Sequence, residues 1–438
     1  MATEATQHMK AQSLKPQRLG TQDSTDVAII GAGPAGAAAA AWLAKRGLDV
    51  RVIERSRFPR FSIGESLLPQ CMVHLEACGL LEAAKAGGFQ IKNGAAFTWR
   101  DRYAAIDFRD KFTPGPGTTW QVERADFDQR LIEGARQLGA QVEFDTRVEA
   151  FTADPERPSL TLVDANGEQR SLHARFVLDA SGYGRVLARL TGLARPSTLE
   201  SRCALFTHIE DRIDCSRYDR EKILIGLHPE HPGIWYWLIP FKNRRASVGV
   251  VGDRATLEAA GVNDDERLWH FIRAEPMLAE LLVNASATRD IGRLEGYSAD
   301  VEQLHGPGFA LLGNAGEFLD PVFSSGVTIA LDSALRAAPL VERQLAGEHV
   351  DWDSQFEQPL RRGVATFREF VDAWYDGRLP RIIFNDQQVP RIRTMISSVL
   401  AGYAWDEENP FVAASRRRLN SLAEACTDMH RHSAGKDE

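Results

Sequence analysis

Cysteine is scarce. Five thiols, Cys71, Cys78, Cys203, Cys215 and Cys426, occur in 438 residues, with no Cys-x-x-Cys pair and no zinc-like spacing with histidine. That excludes a disulfide scaffold and a zinc-ribbon fold, and no metal is expected. A basic excess is lacking as well: 52 Lys and Arg stand against 60 Asp and Glu, a formal net charge of −8, so nucleic acid is not the expected ligand. Residues 1–24 carry no apolar run, so no secretory signal is legible and the cytosol is the expected compartment. One uncharged run, the 18 residues from Val27 to Ala44, has the length of a membrane span. Gly31, Gly33, Pro34 and Gly36 break it, and no span is expected. Internal repeats are absent, and low complexity is confined to the alanines.

What is present, 44% hydrophobic and 26% charged residues, is the composition of a globular protein with length for two or three domains. Asp26–Ile30 is a branched apolar run of the kind buried on both faces of a parallel sheet. It opens into Gly31-Ala-Gly33-Pro34-Ala35-Gly36, a helix-forming stretch from Ala37 to Arg46 stopped by Gly47, and a second strand, Leu48–Glu54. This is a βαβ unit. Phe127, Leu131 and Leu138 fall at helical spacing before a strand at Val142–Phe144, so the α/β pattern resumes after an interruption near 100–120. Short alternating runs at Ala204–Thr207, Ile223–Ile225, Ile234–Ile239 and Ser247–Val250 predict an antiparallel sheet. The pattern turns helical from about 328, and a polar tail is expected after Thr427. His228 and His231 lie in a Pro/Gly turn and are expected to be exposed.

The glycine-rich turn carries a mechanism. The first glycine permits the tight turn, the second lets a pyrophosphate approach the backbone, and the third lets helix pack on strand. The following helix N-terminus faces the phosphates. Glu54, 23 residues after Gly31, is placed to accept ribose hydroxyls. FAD and NAD both use this fingerprint.

Further segments resemble the FAD-dependent monooxygenase superfamily, and within it the flavin-dependent halogenases of the phenol and pyrrole branch. Val122-Glu-Arg124-Ala-Asp-Phe127 resembles the helix start whose arginine contacts the nucleotide, and Arg147-Val148 the strand whose backbone meets adenine. Leu178-Asp179-Ala-Ser-Gly182 resembles the loop closing over the pyrophosphate, and Gly313-Asn314-Ala-Gly316 through Asp320-Pro321 the ribityl-holding segment, with Asn314 in place of the usual aspartate. Arg55 and Ser66 join the expected nucleotide contacts. Trp235-Tyr-Trp237-Leu-Ile239-Pro240 fits the halogenase W-x-W-x-I-P motif. Residues two apart on a strand share a face, so Trp235 and Trp237 form one indole wall, which the resemblance implies separates substrate from flavin. Phe318 through Val327 resembles the halide segment, with Ser324, Ser325 and Gly326 leading into a helix near Thr328. Phe58 through Pro69 resembles the stretch linking flavin and substrate sites, and Lys92, seven residues before Trp99, resembles the essential lysine.

The resemblance implies an α/β fold: a Rossmann-like FAD-binding domain of the para-hydroxybenzoate hydroxylase type, an inserted antiparallel-sheet substrate domain and a helical C-terminal region. The FAD domain is expected at 25–96, 121–190 and 296–345, the substrate domain at 97–120 and 191–295, the helical region at 346–427, and flexible tails at 1–24 and 428–438. It implies an oxidoreductase of secondary metabolite biosynthesis that uses reduced FAD, oxygen and chloride or bromide to halogenate an electron-rich aromatic through hypohalous acid delivered to Lys92. As ammonium, Lys92 would polarise that acid; as neutral amine, it would trap it as a haloamine. Phe323 stands where free-tryptophan halogenases place glutamate, so a phenol or pyrrole, free or tethered to an acyl or peptidyl carrier protein, is the expected substrate. No second nucleotide fingerprint is visible, so a separate flavin reductase is the expected partner. An FAD-dependent aromatic hydroxylase, a geranylgeranyl-reductase-type flavoprotein and a non-catalytic FAD-binding protein are the alternative readings.

Overall fold

The computed structural model describes residues 23–214, 218–387 and 389–434. The expected tail residues 1–22 and 435–438 lie outside the described residues, as does Cys215. Asp23 and Ser24 instead open the first strand, and the last helix, Ser415–Ala434, runs past the expected stop at Thr427. No glycine or proline interrupts it before Gly435.

Two sheets organise the chain. In the first, Asp23–Ile30 lies between Gln169–Asp179 and Val50–Ile53, with Gln141–Glu143 and Phe309–Leu311 beyond them, all parallel. Arg147–Thr152 and Ser159–Val163 add antiparallel to one end of Gln169–Asp179. Val27 through Ile30 are buried, as expected for a strand covered on both faces. The helix Pro34–Ala44 is buried along its whole length. Its alanines let it sit close to the sheet and to the long helix Ser325–Leu345. The uncharged run is therefore core. Among the described residues no helix is long and apolar enough to cross a membrane.

The second sheet runs Ser286–Ala287, Cys203–Glu210, Arg245–Gly252, Trp235–Pro240, Lys222–Leu227, Gly94–Trp99, Arg102–Asp107. It is mixed rather than wholly antiparallel, because Lys222–Leu227 pairs parallel with Gly94–Trp99. Its period of two sorts side chains between two cores. Phe97, Ile223, Ile225, Trp235 and Trp237 face the core shared with the first sheet. Ala96, Leu224, Tyr236 and Leu238 face a second core under the helices Arg254–Ala259, Asp264–Ala274 and Pro276–Leu281. The helices Gln358–Tyr375, Arg378–Ile383, Pro390–Leu400 and Ser415–Ala434 form a C-terminal layer. The long helix starts at Ser325, three residues before its expected position, because Ser324 at φ +58° turns the chain directly into it.

His228 corrects an expectation. It is buried, its Nδ1 accepts the Glu230 and His231 N–H groups at 3.1 Å each, and its ring stacks on Tyr236. The described cysteines are free and buried.

Candidate active site

A cavity of about 390 Å³ runs along the carboxyl ends of the first sheet and stops against the second. Open α/β sheets bind ligands at that end. Among the residues singled out above, Gly31, Gly33, Pro34, Ala35, Glu54, Arg55, Ser66, Arg124, Asn314 and Pro321 line it, with Trp235, Trp237, Ser324 and Gly326.

Each glycine of the turn has a distinct geometry. Gly31 has φ +98°, and a Cβ there would lie 2.6 Å from Ala180 O; a Cβ on Gly36 would lie 1.9 Å from Gly31 O. Gly33 meets only Arg60 Nη2, at 3.6 Å, so its missing side chain leaves room in the cavity. The Pro34–Ala44 helix has no side-chain cap at Gly33, so its first N–H groups are available to phosphate. Glu54 Oε2 accepts Ala32 N–H and Oε1 accepts Ser56 N–H, both at 2.9 Å, and a carboxylate retains lone pairs for hydroxyl donors. Arg124 Nε and Nη2 grip Asp128 at 2.7 and 2.9 Å, and Nη1 donates to Ile63 O and Gly64 O. One N–H of its fork has no partner among the described residues. Glu65 Oε2 and Ser66 Oγ are buried at the cavity wall without a partner among the described residues. Unsatisfied acceptors beside an open phosphate cradle fit a hydroxyl-rich dinucleotide, and FAD is accommodated by this donor and acceptor set.

Some expected contacts fall elsewhere. Asp179 is buried beneath the wall, accepting Ser181 N–H at 2.9 Å and Leu187 N–H at 2.6 Å. It anchors the Ala180–Gly184 loop, which does line the cavity. Gly313, φ +50°, donates to Ser333 Oγ and packs on Ala330. Val148 belongs to the antiparallel extension Arg147–Thr152, off the cavity wall. Gly36 and Ser325 are likewise buried in packing.

The indole wall forms as the strand period requires. The Trp235 and Trp237 ring centroids are 5.8 Å apart at 45°, and their Nε1 groups donate to Tyr375 Oη at 2.9 Å and Ser247 Oγ at 3.1 Å. Sequence reading missed Phe61, Phe206 and Tyr297, which also line the cavity, and His208, whose Nε2 lies 2.7 Å from Glu65 Oε1 behind it. Phe61 and Glu65 belong to the Phe58–Pro69 stretch already singled out. The others come from segments without a motif.

Lys92 lies outside this cavity. It is 1% exposed, ends the strand Gln90–Lys92, and its Nζ donates to Leu67 O at 2.7 Å. It borders a second void of about 10 Å³ walled by Phe97, Phe108, Phe323 and Leu400, room for about one water. Ser324 and Ile223 border both spaces. Burial lowers the Lys92 ammonium to about 7, against a smaller opposing effect of nearby Cys71. Below pH 7 the chain therefore carries a buried charge that an unfolded chain would solvate. Lys92→Met should raise the thermal midpoint most below pH 7, the gain shrinking as pH rises toward 10.5; a pH-independent gain would contradict it.

The fold and cavity define an FAD-dependent oxidoreductase. The FAD binding domain family matches residues 24–276. The chain is 30% identical over 425 residues to the 1H-pyrrole-2-carbonyl-[peptidyl-carrier protein] chlorinase of Pseudomonas fluorescens, covering 91% of this chain and 94% of that one. The structure of a flavoprotein/dehydrogenase from Cytophaga hutchinsonii matches with TM-score 0.90 at 42% identity, over 93% of this chain and 100% of that one. The flavin-dependent brominase Bmp2 matches with TM-score 0.79 at 26% identity, over the same shares. The chain belongs to the flavin-dependent halogenase family.

Proposed function

We propose that this enzyme halogenates a pyrrole- or phenol-type ring, carried on an acyl or peptidyl carrier protein, through an oxidant held at Lys92. The observation that carries the reading is that the nucleotide cavity and the Lys92 void lie against a common wall, Ser324 and Ile223. When bound, reduced FAD supplies the electrons that activate oxygen toward chloride or bromide. Gly31, Gly33, Pro34 and Ala35 cradle its pyrophosphate, Glu54 holds its ribose, and Arg55, Ser66, Arg124, Asn314 and Pro321 complete its site. Ser324 and Gly326, which line the cavity, hold the halide at the N-terminal turn of a 21-residue helix. Trp235 and Trp237 keep the aromatic ring away from the cofactor, so oxygen is not inserted directly. Lys92 holds the hypohalous acid, with an amine that burial makes able to exist in either protonation state near neutrality.

The carrier-linked substrate is supported by the likeness to the pyrrole-carrier chlorinase over nearly the whole chain. A cytosolic location and a separate flavin reductase complete the proposal. Mixing the protein with reduced FAD, oxygen and either halide should leave a thiol-titratable oxidant on the protein after rapid desalting. Carrier-linked pyrrole should then be halogenated in preference to free phenol. Oxygen insertion without halide dependence would establish the hydroxylase reading instead.

A further inference from the structure

Four segments far apart in sequence converge on one buried carboxylate beside the halide turn. Asp320 is 3% exposed, and its Oδ1 accepts Val322 N–H at 3.0 Å, closing the turn that carries Pro321 and Ser324. Its Oδ2 accepts the Tyr375 hydroxyl at 2.8 Å and the Tyr297 hydroxyl at 3.3 Å. The Tyr375 hydroxyl in turn accepts Trp235 Nε1–H at 2.9 Å. The Arg202 guanidinium lies over the Tyr375 ring at 3.7 Å. Tyr375 ends the helix Gln358–Tyr375 of the C-terminal layer and does not line the cavity, whereas Trp235, Tyr297 and Pro321 do.

We propose that Tyr375 is a positioning residue: its hydroxyl locks the indole wall to the halide turn, so the two sides of the flavin cavity keep a fixed separation. A phenol suits this place because it accepts from the indole and donates to the carboxylate at once. Burial keeps the hydroxyl protonated, raising it well above its ordinary range. Phenylalanine would fill the same space and leave the Trp235 N–H without its acceptor, the costly case for a buried donor. The chain of bonds explains how a helix with no cavity-facing residue here can set the geometry of the site. The proposal rests on the halogenase reading for its consequence, but the bond itself is testable without it.

The test uses the full chain loaded with FAD and compares Tyr375→Phe, Trp235→Phe and the double variant. Near-ultraviolet circular dichroism reports the indoles, and visible dichroism reports the bound flavin. Tyr375→Phe should alter both while FAD affinity stays within about threefold of wild type. In the Trp235→Phe background the same change should add less than it does in wild type, since only the bond to Asp320 is then left to lose. Halide-dependent oxidant per reduced FAD should fall about tenfold in Tyr375→Phe, with hydrogen peroxide rising in its place. If Tyr375→Phe does not fold, the double variant is expected to recover folding in part, because no indole N–H is then orphaned and Asp320 Oδ2 keeps the Tyr297 hydroxyl. Unchanged dichroism, additive effects of the two substitutions, or no recovery in the double variant would each overturn the proposal. A wild type that yields no halide-dependent oxidant would sink the halogenase reading, and the dichroism arms would still decide Tyr375.

Discussion

Replacing Lys92 with alanine should cut halogenation at least about 100-fold, the scale on which a positioned proton-transfer group contributes, and leave FAD affinity unchanged. Lys92 Nζ is buried, held by Leu67 O, and borders a void separate from the nucleotide cavity, the two spaces sharing Ser324 and Ile223 as a common wall. Alanine removes the only amine bordering the second void among the described residues, and Lys92 itself does not line the first. Product formation and FAD titration, measured side by side, separate the two effects. Retained halogenation would refute the role. Because the amine sits at about 7, the wild-type profile also discriminates between its two chemistries. A rate that climbs through neutrality identifies the haloamine-forming amine, and one that declines identifies the ammonium.

Alanine at Gly33 and at Gly36 should fail in different ways. At Gly36 the new Cβ meets Gly31 O at 1.9 Å inside packed backbone, so the protein itself must distort, at a cost of about 1–3 kcal/mol or more. Its thermal midpoint should drop with or without cofactor. At Gly33 the new methyl projects into open cavity; the apoprotein should melt near the wild-type temperature while FAD affinity falls by about tenfold or more. Melting curves of apoprotein and FAD-loaded protein for both variants check this pair. Equal behaviour of the two would mean that the second glycine has no special relation to the pyrophosphate.

Local chemistry was legible from sequence wherever a backbone conformation demands a particular residue. Gly31 at positive φ, Gly36 beneath Gly31 O, and the alternation of Trp235 and Trp237 on one strand face are imposed by sterics and by the strand period. The core strand Val27–Ile30 and the alanine helix behind it followed from hydrophobic pattern. Pairing direction did not: Lys222–Leu227 reads the same whether its neighbour is parallel or antiparallel, and only the chain's path set it beside Gly94–Trp99. Nor could sequence separate residues that face the cavity from those that brace it. Asp179 and Gly313 sit in motif segments yet point into packing, because the loop bends around them. Tyr375 carries no motif and lies 140 residues from the Trp235 it holds. The amine of Lys92 is the clearest case: its spacing marked it, but its shift to about 7 comes from desolvation by Phe97, Phe108, Phe323 and Leu400. Those walls come from one strand, two turns and a C-terminal helix. Sequence determined which residues could do this chemistry; the removal of water around them belongs to the tertiary structure, since burial is a property of neighbours brought from elsewhere in the chain.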